Sequence, residues 1–138
     1  MHCPKCGKLI DPAQHGDLVF DSQVWCSQCF SYEVGLTETR EFAELVEWSQ
    51  KICAAFCQEP VSLERDPEYL PDPRKYWRDN TFLLAEADHQ KRLIMLYPPG
   101  MRLTTLCHEL AHIFTGQDHT AEWASINAKL TAWVKSLL

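Results

Sequence analysis

Between Thr39 and Gln58 the apolar positions recur every three or four residues. Phe42, Leu45, Val46, Ser49, Ile52, Cys53 and Phe56 fall on one stripe, which predicts an amphipathic helix. The pattern then dissolves in the charged stretch 59–80, which holds four of the eight prolines and reads as a long loop with one short strand at Val61–Glu64. "TFLLAEA" and "RLIMLY" predict two strands of a hairpin, joined by "DHQK". "PPG" interrupts the chain before a second helical stripe of Leu103, Leu106, Cys107, Leu110 and Phe114. Gly116 is placed to end that helix in a left-handed conformation. A last helix begins near Thr120 and aligns Trp123, Ile126, Leu130, Trp133 and Leu137. Residues 1–33 carry neither period, and no internal repeat or low-complexity tract occurs. The order of elements predicts an α+β fold for residues 34–138, preceded by a small module at 1–33.

Composition narrows the class of protein. At 138 residues, 46% hydrophobic and 23% charged, the chain has enough apolar material for one small domain plus a very small module, and is not disordered. A net charge of −6 argues against a general polyanion binder. No run of eighteen apolar residues suggests a membrane span, and "MHCPKCGKLI" lacks the pattern of a signal peptide. The expectation is a cytoplasmic protein whose seven cysteines are reduced and available to metal.

Four of those cysteines come in pairs. Cys3 and Cys6 form one CxxC, and Cys26 and Cys29 form another. A two-residue spacer lets a tight turn aim two sulfurs at one ion, and two such turns complete a tetrahedral thiolate site. Gly7 suits a turn that needs positive φ. This predicts a zinc ribbon with a structural zinc, since four protein ligands leave no open position; iron could use the same sulfurs. Cys53, Cys57 and Cys107 lie on or beside apolar stripes and are expected in the core, while His2, His15 and His89 read as exposed loop residues.

The second constellation is "TLCHELAHIFTGQDH", residues 105–119. Helical residues four apart lie about 40° from each other around the axis, so His108 and His112 can bind one zinc ion side by side. Glu109 follows the first of them and can stand beside a metal-bound water without being a ligand. Chance would produce HExxH in roughly 2% of shuffled chains of this make-up. Both histidines fall nearly opposite the apolar stripe, which makes them poor candidates for core residues. A catalytic zinc needs a third protein ligand and an open position. Asp118, His119 and Glu122 follow; His119, just beyond Gly116, is the first choice and Glu122 the alternative.

"TLCHELAH", followed after a glycine by "HTAEW", resembles the zinc metallopeptidases of the SprT-like and WLM groups. In those families a third histidine follows HExxH, with an aromatic residue soon after it in the next helix. "TFLLAEADHQKRLIMLYPPG" is similar to the hairpin before their catalytic helix. The resemblance spans roughly 35–138 and implies a zincin-like minimal metallopeptidase domain. It implies His108, His112 and His119 as ligands of a catalytic zinc and Glu109 as catalytic base. It also implies an extended protein or peptide substrate lying beside the hairpin. In SprT-like proteins the ribbon typically follows the protease domain, whereas here it precedes it.

The reading is therefore a zinc-dependent endopeptidase with two zinc ions, in which Glu109 activates a zinc-bound water. The families named are associated with proteins crosslinked to DNA, so DNA-linked substrates are a second expectation. The charge balance does not favour it: residues 34–138 carry 11 basic and 15 acidic side chains. "RKYWR", with Tyr76 and Trp77, could stack on bases, although a solvated loop with two packed aromatics fits it better. The competing reading is a non-catalytic adaptor, in which the ribbon binds a partner and the HExxH domain is vestigial. Oligomeric state does not follow from the sequence.

Overall fold

The computed structural model describes residues 2–4, 6–7, 9–10, 19–20, 23–24, 35–66, 77–78 and 81–138. The chain divides into two compact units, Met1–Glu38 with Leu138, and Thr39–Leu137. In the first, Val19–Phe20 (β1) pairs antiparallel with Gln23–Val24 (β2). His2 bridges Leu9 across the "CPKCG" turn, Gly7 takes φ 75° and its N–H donates to the Cys3 carbonyl. Cys3 is buried and Cys6 exposed. Cys26, Cys29 and His15 lie outside the described residues.

The second unit is α+β. Its elements run α1 (Phe42–Ala55), β3 (Ser62–Arg65), β4 (Trp77–Arg78), β5 (Thr81–Phe82), β6 (Ala85–Asp88), β7 (Leu93–Leu96), α2 (Leu103–Thr115) and α3 (Ala121–Leu137). A single turn of 3₁₀ helix, Pro98–Gly100, leads into α2. The sheet order is β3-β7-β6, with β3 parallel to β7 and β6 antiparallel to it. β4 and β5 form a separate antiparallel pair. Tyr76 lies outside the described residues, and Trp77 opens β4.

The expected "TFLLAEA" strand is thus two strands. At the break, Leu83–Leu84, the chain lies directly against Gly100. A Cβ on Gly100 would sit 1.9 Å from the Leu84 carbonyl oxygen, which also accepts from the Tyr97 N–H at 3.1 Å. Two backbones meet there at a distance that only glycine permits. The hairpin turn occupies 89–92, so β6 extends through Asp88.

α2 is the centre of the core. Leu103, Leu106, Cys107, Leu110, Ala111 and Ile113 have no exposed surface. The buried arc is wider than the expected stripe, and Phe114 is only half-buried. The reason is that β6, α1 and α3 pack around α2 and cover more than one face. Each fully buried leucine or isoleucine contributes about 1.5–3 kcal/mol of transfer free energy. α1 buries Leu45, Ser49, Ile52 and Cys53, and its Phe56 meets Trp133 of α3 edge to face at 6.1 Å.

Two expected core residues are exposed. Cys57 follows the end of α1 with φ 55°, which turns its side chain off the stripe. Leu137 is 55% exposed because the 17-residue α3 outruns the 13-residue α2 it packs on. No helix among the described residues is long and apolar enough to cross a membrane.

Candidate metal centre

Three local devices build the site. The first is α2 itself, which sets His108 and His112 one turn apart on its least buried edge. The second is the helix end. Gly116 takes φ 65° and ψ 18°, and its N–H donates to the His112 carbonyl at 2.8 Å. The left-handed residue turns the chain back over the helix, and His119 returns to the same edge. The third is the start of α3, where the Thr120 hydroxyl accepts from the Trp123 N–H at 3.2 Å and caps the helix. That cap places the Trp123 ring against all three imidazoles, with centroids 4.7 Å from His119, 4.8 Å from His108 and 5.2 Å from His112. The indole N–H donates to the His108 carbonyl at 3.3 Å.

The three rings converge on one point. The Nε2 atoms of His112 and His119 each lie 3.2 Å from Nε2 of His108. His112 Nδ1 is 2.8 Å from the Gln117 carbonyl oxygen. A carbonyl only accepts, so Nδ1 carries the proton and His112 Nε2 presents a lone pair. One proton on His108 Nε2 satisfies at most one of its two neighbours. A cation at the focus satisfies all three. Nitrogen ligands at 2.0–2.1 Å in tetrahedral geometry stand about 3.3 Å apart, so the donor set fits a zinc-sized ion. These three histidines are the group able to hold a metal ion among the described residues. Burial, then repulsion from His112 and His119, holds His108 below the usual histidine range, with Asp118 opposing, which favours the neutral ligating form.

Glu122, the alternative third ligand, is outside this group. Its carboxylate accepts from the Gln117 side-chain amide, whose oxygen accepts from the Thr120 hydroxyl. Gln117 therefore fastens the chain between the two helices while its own carbonyl orients His112. Asp118 stands 3.4 Å from Nδ1 of His119. Sequence reasoning did not single out Gln117, because its role depends on main-chain geometry beyond a glycine.

Glu109 lines the same open cleft of about 680 Å³ as the three histidines. It is 8% exposed. Burial raises its pKa above the ordinary carboxylate range; His112 opposes the rise and Glu86 adds to it. Ala85, Glu86 and Ala87 of β6 form the opposite wall, and His89 closes one end. His89, expected as a plain loop residue, is exposed but anchored: its Nδ1 donates to the Ile113 carbonyl at 2.8 Å. A Cβ on Gly116 would meet the His89 ring at 3.0 Å, so that glycine is held by contact as well as by φ. The signal for the β6 wall was present in "AEAD": the apolar positions of the alternation carry only alanine, which leaves space where a covered strand would bury a large side chain.

Comparison with protein-family models, with curated proteins and with solved structures finds no match to this chain.

Proposed function

We propose that the chain is a zinc-dependent endopeptidase acting on extended protein or peptide segments. The observation that carries this reading is a buried carboxylate, Glu109, in one cleft with three imidazoles whose Nε2 atoms converge. His108, His112 and His119 would hold the metal through Nε2. When bound there, zinc supplies a Lewis acid and lowers the pKa of a coordinated water. Glu109 takes a proton from the attacking water as it adds to the peptide carbonyl. The same carboxyl then delivers that proton to the departing amine. Its raised pKa suits both transfers, because a group that titrates nearer neutrality gives up a proton as readily as it takes one.

Substrate orientation follows from the sheet. β6 is an edge strand among the described residues, paired only with β7. The Tyr97 N–H donates to the Leu84 carbonyl, so in the antiparallel register the bonded positions are 84, 86 and 88. The N–H and C=O groups of Ala85 and Ala87 therefore point outward, beside the cleft. An extended substrate would complete the sheet there. In the first unit, Cys3 and Cys6, with Cys26 and Cys29, would hold a second, structural zinc.

The test is cleavage of an unfolded protein by the metal-loaded chain and its Glu109→Gln form, with zinc measured on the same samples. Cleavage by the first and not the second, at equal zinc content, supports the reading. Equal cleavage by both would remove Glu109 as the base.

A further inference from the structure

The hairpin has a second face. In the β6–β7 register Glu86 lies opposite Met95 and Asp88 opposite Leu93, so these four side chains share one side of the sheet. Their neighbours Ile94 and Leu96, fully buried, face the other side. On the outer side is a groove of about 490 Å³, floored by Leu93, Met95 and Tyr97 and edged by Glu86 and Asp88. It is continuous with the metal cleft, because Glu86, Ala87 and His89 line both. The charge at its edge is uncompensated: Glu86 has no ion-pair partner among the described residues, and Asp88 accepts only the Lys91 N–H at 3.1 Å.

A chain paired to the outward groups of Ala85 and Ala87 has fixed parity. Residues opposite those alanines turn their side chains toward the metal cleft. The residue between them lies opposite Glu86 and turns its side chain onto the outer groove. That side chain stands beside the Glu86 carboxylate on the adjacent strand, with Asp88 in diagonal reach and the apolar floor of Leu93, Met95 and Tyr97 one strand further in. This matches lysine or arginine, whose charged head can pair with either acid while its methylenes pack against the neighbouring side chains. A glutamate there faces two like charges, and a polyphosphate backbone is repelled in the same way.

We propose that the outer groove is a specificity subsite that selects extended segments carrying a lysine or arginine opposite Glu86. The inference rests on the peptidase reading and deepens it by naming the substrate class. The selectivity resides in the Glu86–Asp88 edge and not in the metal ligands.

The experiment uses the full metal-loaded chain and a peptide series differing at one position, scanned through Lys, Arg, Gln and Glu at each site along the peptide. At one register Lys and Arg should exceed Gln by about three- to fivefold in kcat/KM, with Glu lowest. Added salt should flatten the order. Glu86→Gln with Asp88→Asn should remove the preference, and Glu86→Lys should invert it, each variant being checked for fold by thermal melting. Cleavage with no charge preference at any register, or a preference unchanged in both variants, overturns the inference and leaves the peptidase reading intact. If no peptide is cut, binding of the same series to the same proteins decides: charge-ordered binding that Glu86→Lys inverts retains the subsite and removes the peptidase, and absence of binding overturns both.

Discussion

At the scale of single residues, the proposed mechanism separates a carboxylate that moves a proton from groups that hold metal. Glu109→Gln keeps the volume and a hydrogen-bonding group but removes the base. We expect it to lose about 10²–10⁴-fold in cleavage rate with zinc content unchanged, read by activity and metal analysis together. The same substitution has a signature in the metal-free protein. The pKa of Glu109 is raised on folding, so burying its charged form opposes folding. Its contribution to stability is fully present below the unfolded-state carboxylate pKa and is lost as pH rises through the higher folded value. Metal-free Glu109→Gln should therefore melt higher than the parent at neutral pH, and the difference should vanish below the ordinary carboxylate range. A pH-independent difference would show that Glu109 is not held against its charge. His119 and Glu122 separate the two candidates for third ligand. His119→Ala should weaken zinc binding at the His108–His112 site. Glu122→Ala, which removes only the acceptor for the Gln117 amide, should leave zinc bound. Competition with a chromogenic chelator reads both.

At the scale of elements, two glycines hold the pieces together for different reasons. Gly116 ends α2 at φ 65° and lies under the His89 ring. Gly100 has ordinary backbone angles but almost no space, because the Leu84 carbonyl occupies the position of a side chain. Gly100→Ala must displace the backbone that starts β6. We expect it to cost at least about 2 kcal/mol in chemical denaturation, within the range for strained or overpacked sites. Because β6 forms one wall of the cleft, the variant should also raise KM for an extended peptide while the histidines keep their metal. Loss of stability with unchanged KM would show that the β6 edge does not receive substrate.

At the scale of the molecule, the proposed reading places a chemically different metal site in each of the two units. The first carries the paired cysteines and the second the three histidines. We expect two zinc ions per chain, with X-ray absorption resolving one sulfur-rich environment and one of nitrogen and oxygen donors. A chelator should strip the second sooner, because a site with three protein ligands keeps an exchangeable position and a four-thiolate site does not. A single sulfur-bound zinc in fully loaded protein would leave the histidine cluster without its metal and the peptidase reading without support.

Local periodicity was enough to place α1, the hairpin, α2 and α3, because each element buries a face whose spacing is set by its own backbone. It also gave His108, Glu109 and His112, since one helical turn fixes their relation, and it anticipated the left-handed Gly116. The remaining features depend on contacts between segments distant in the chain. The parallel pairing of β3 with β7 and the close approach of Leu84 to Gly100 join segments far apart in the chain, and neither leaves a mark in the local pattern. Trp123 occupies an apolar position on α3 and reads as core. Only the packing of α3 on α2 makes it the wall that orients three imidazoles. Cys57 reads as core by spacing and is exposed because the helix stops two residues earlier. A one-dimensional pattern fixes which face an element buries; which neighbour covers that face, and what polar groups then meet at its edge, is a property of the assembled tertiary structure.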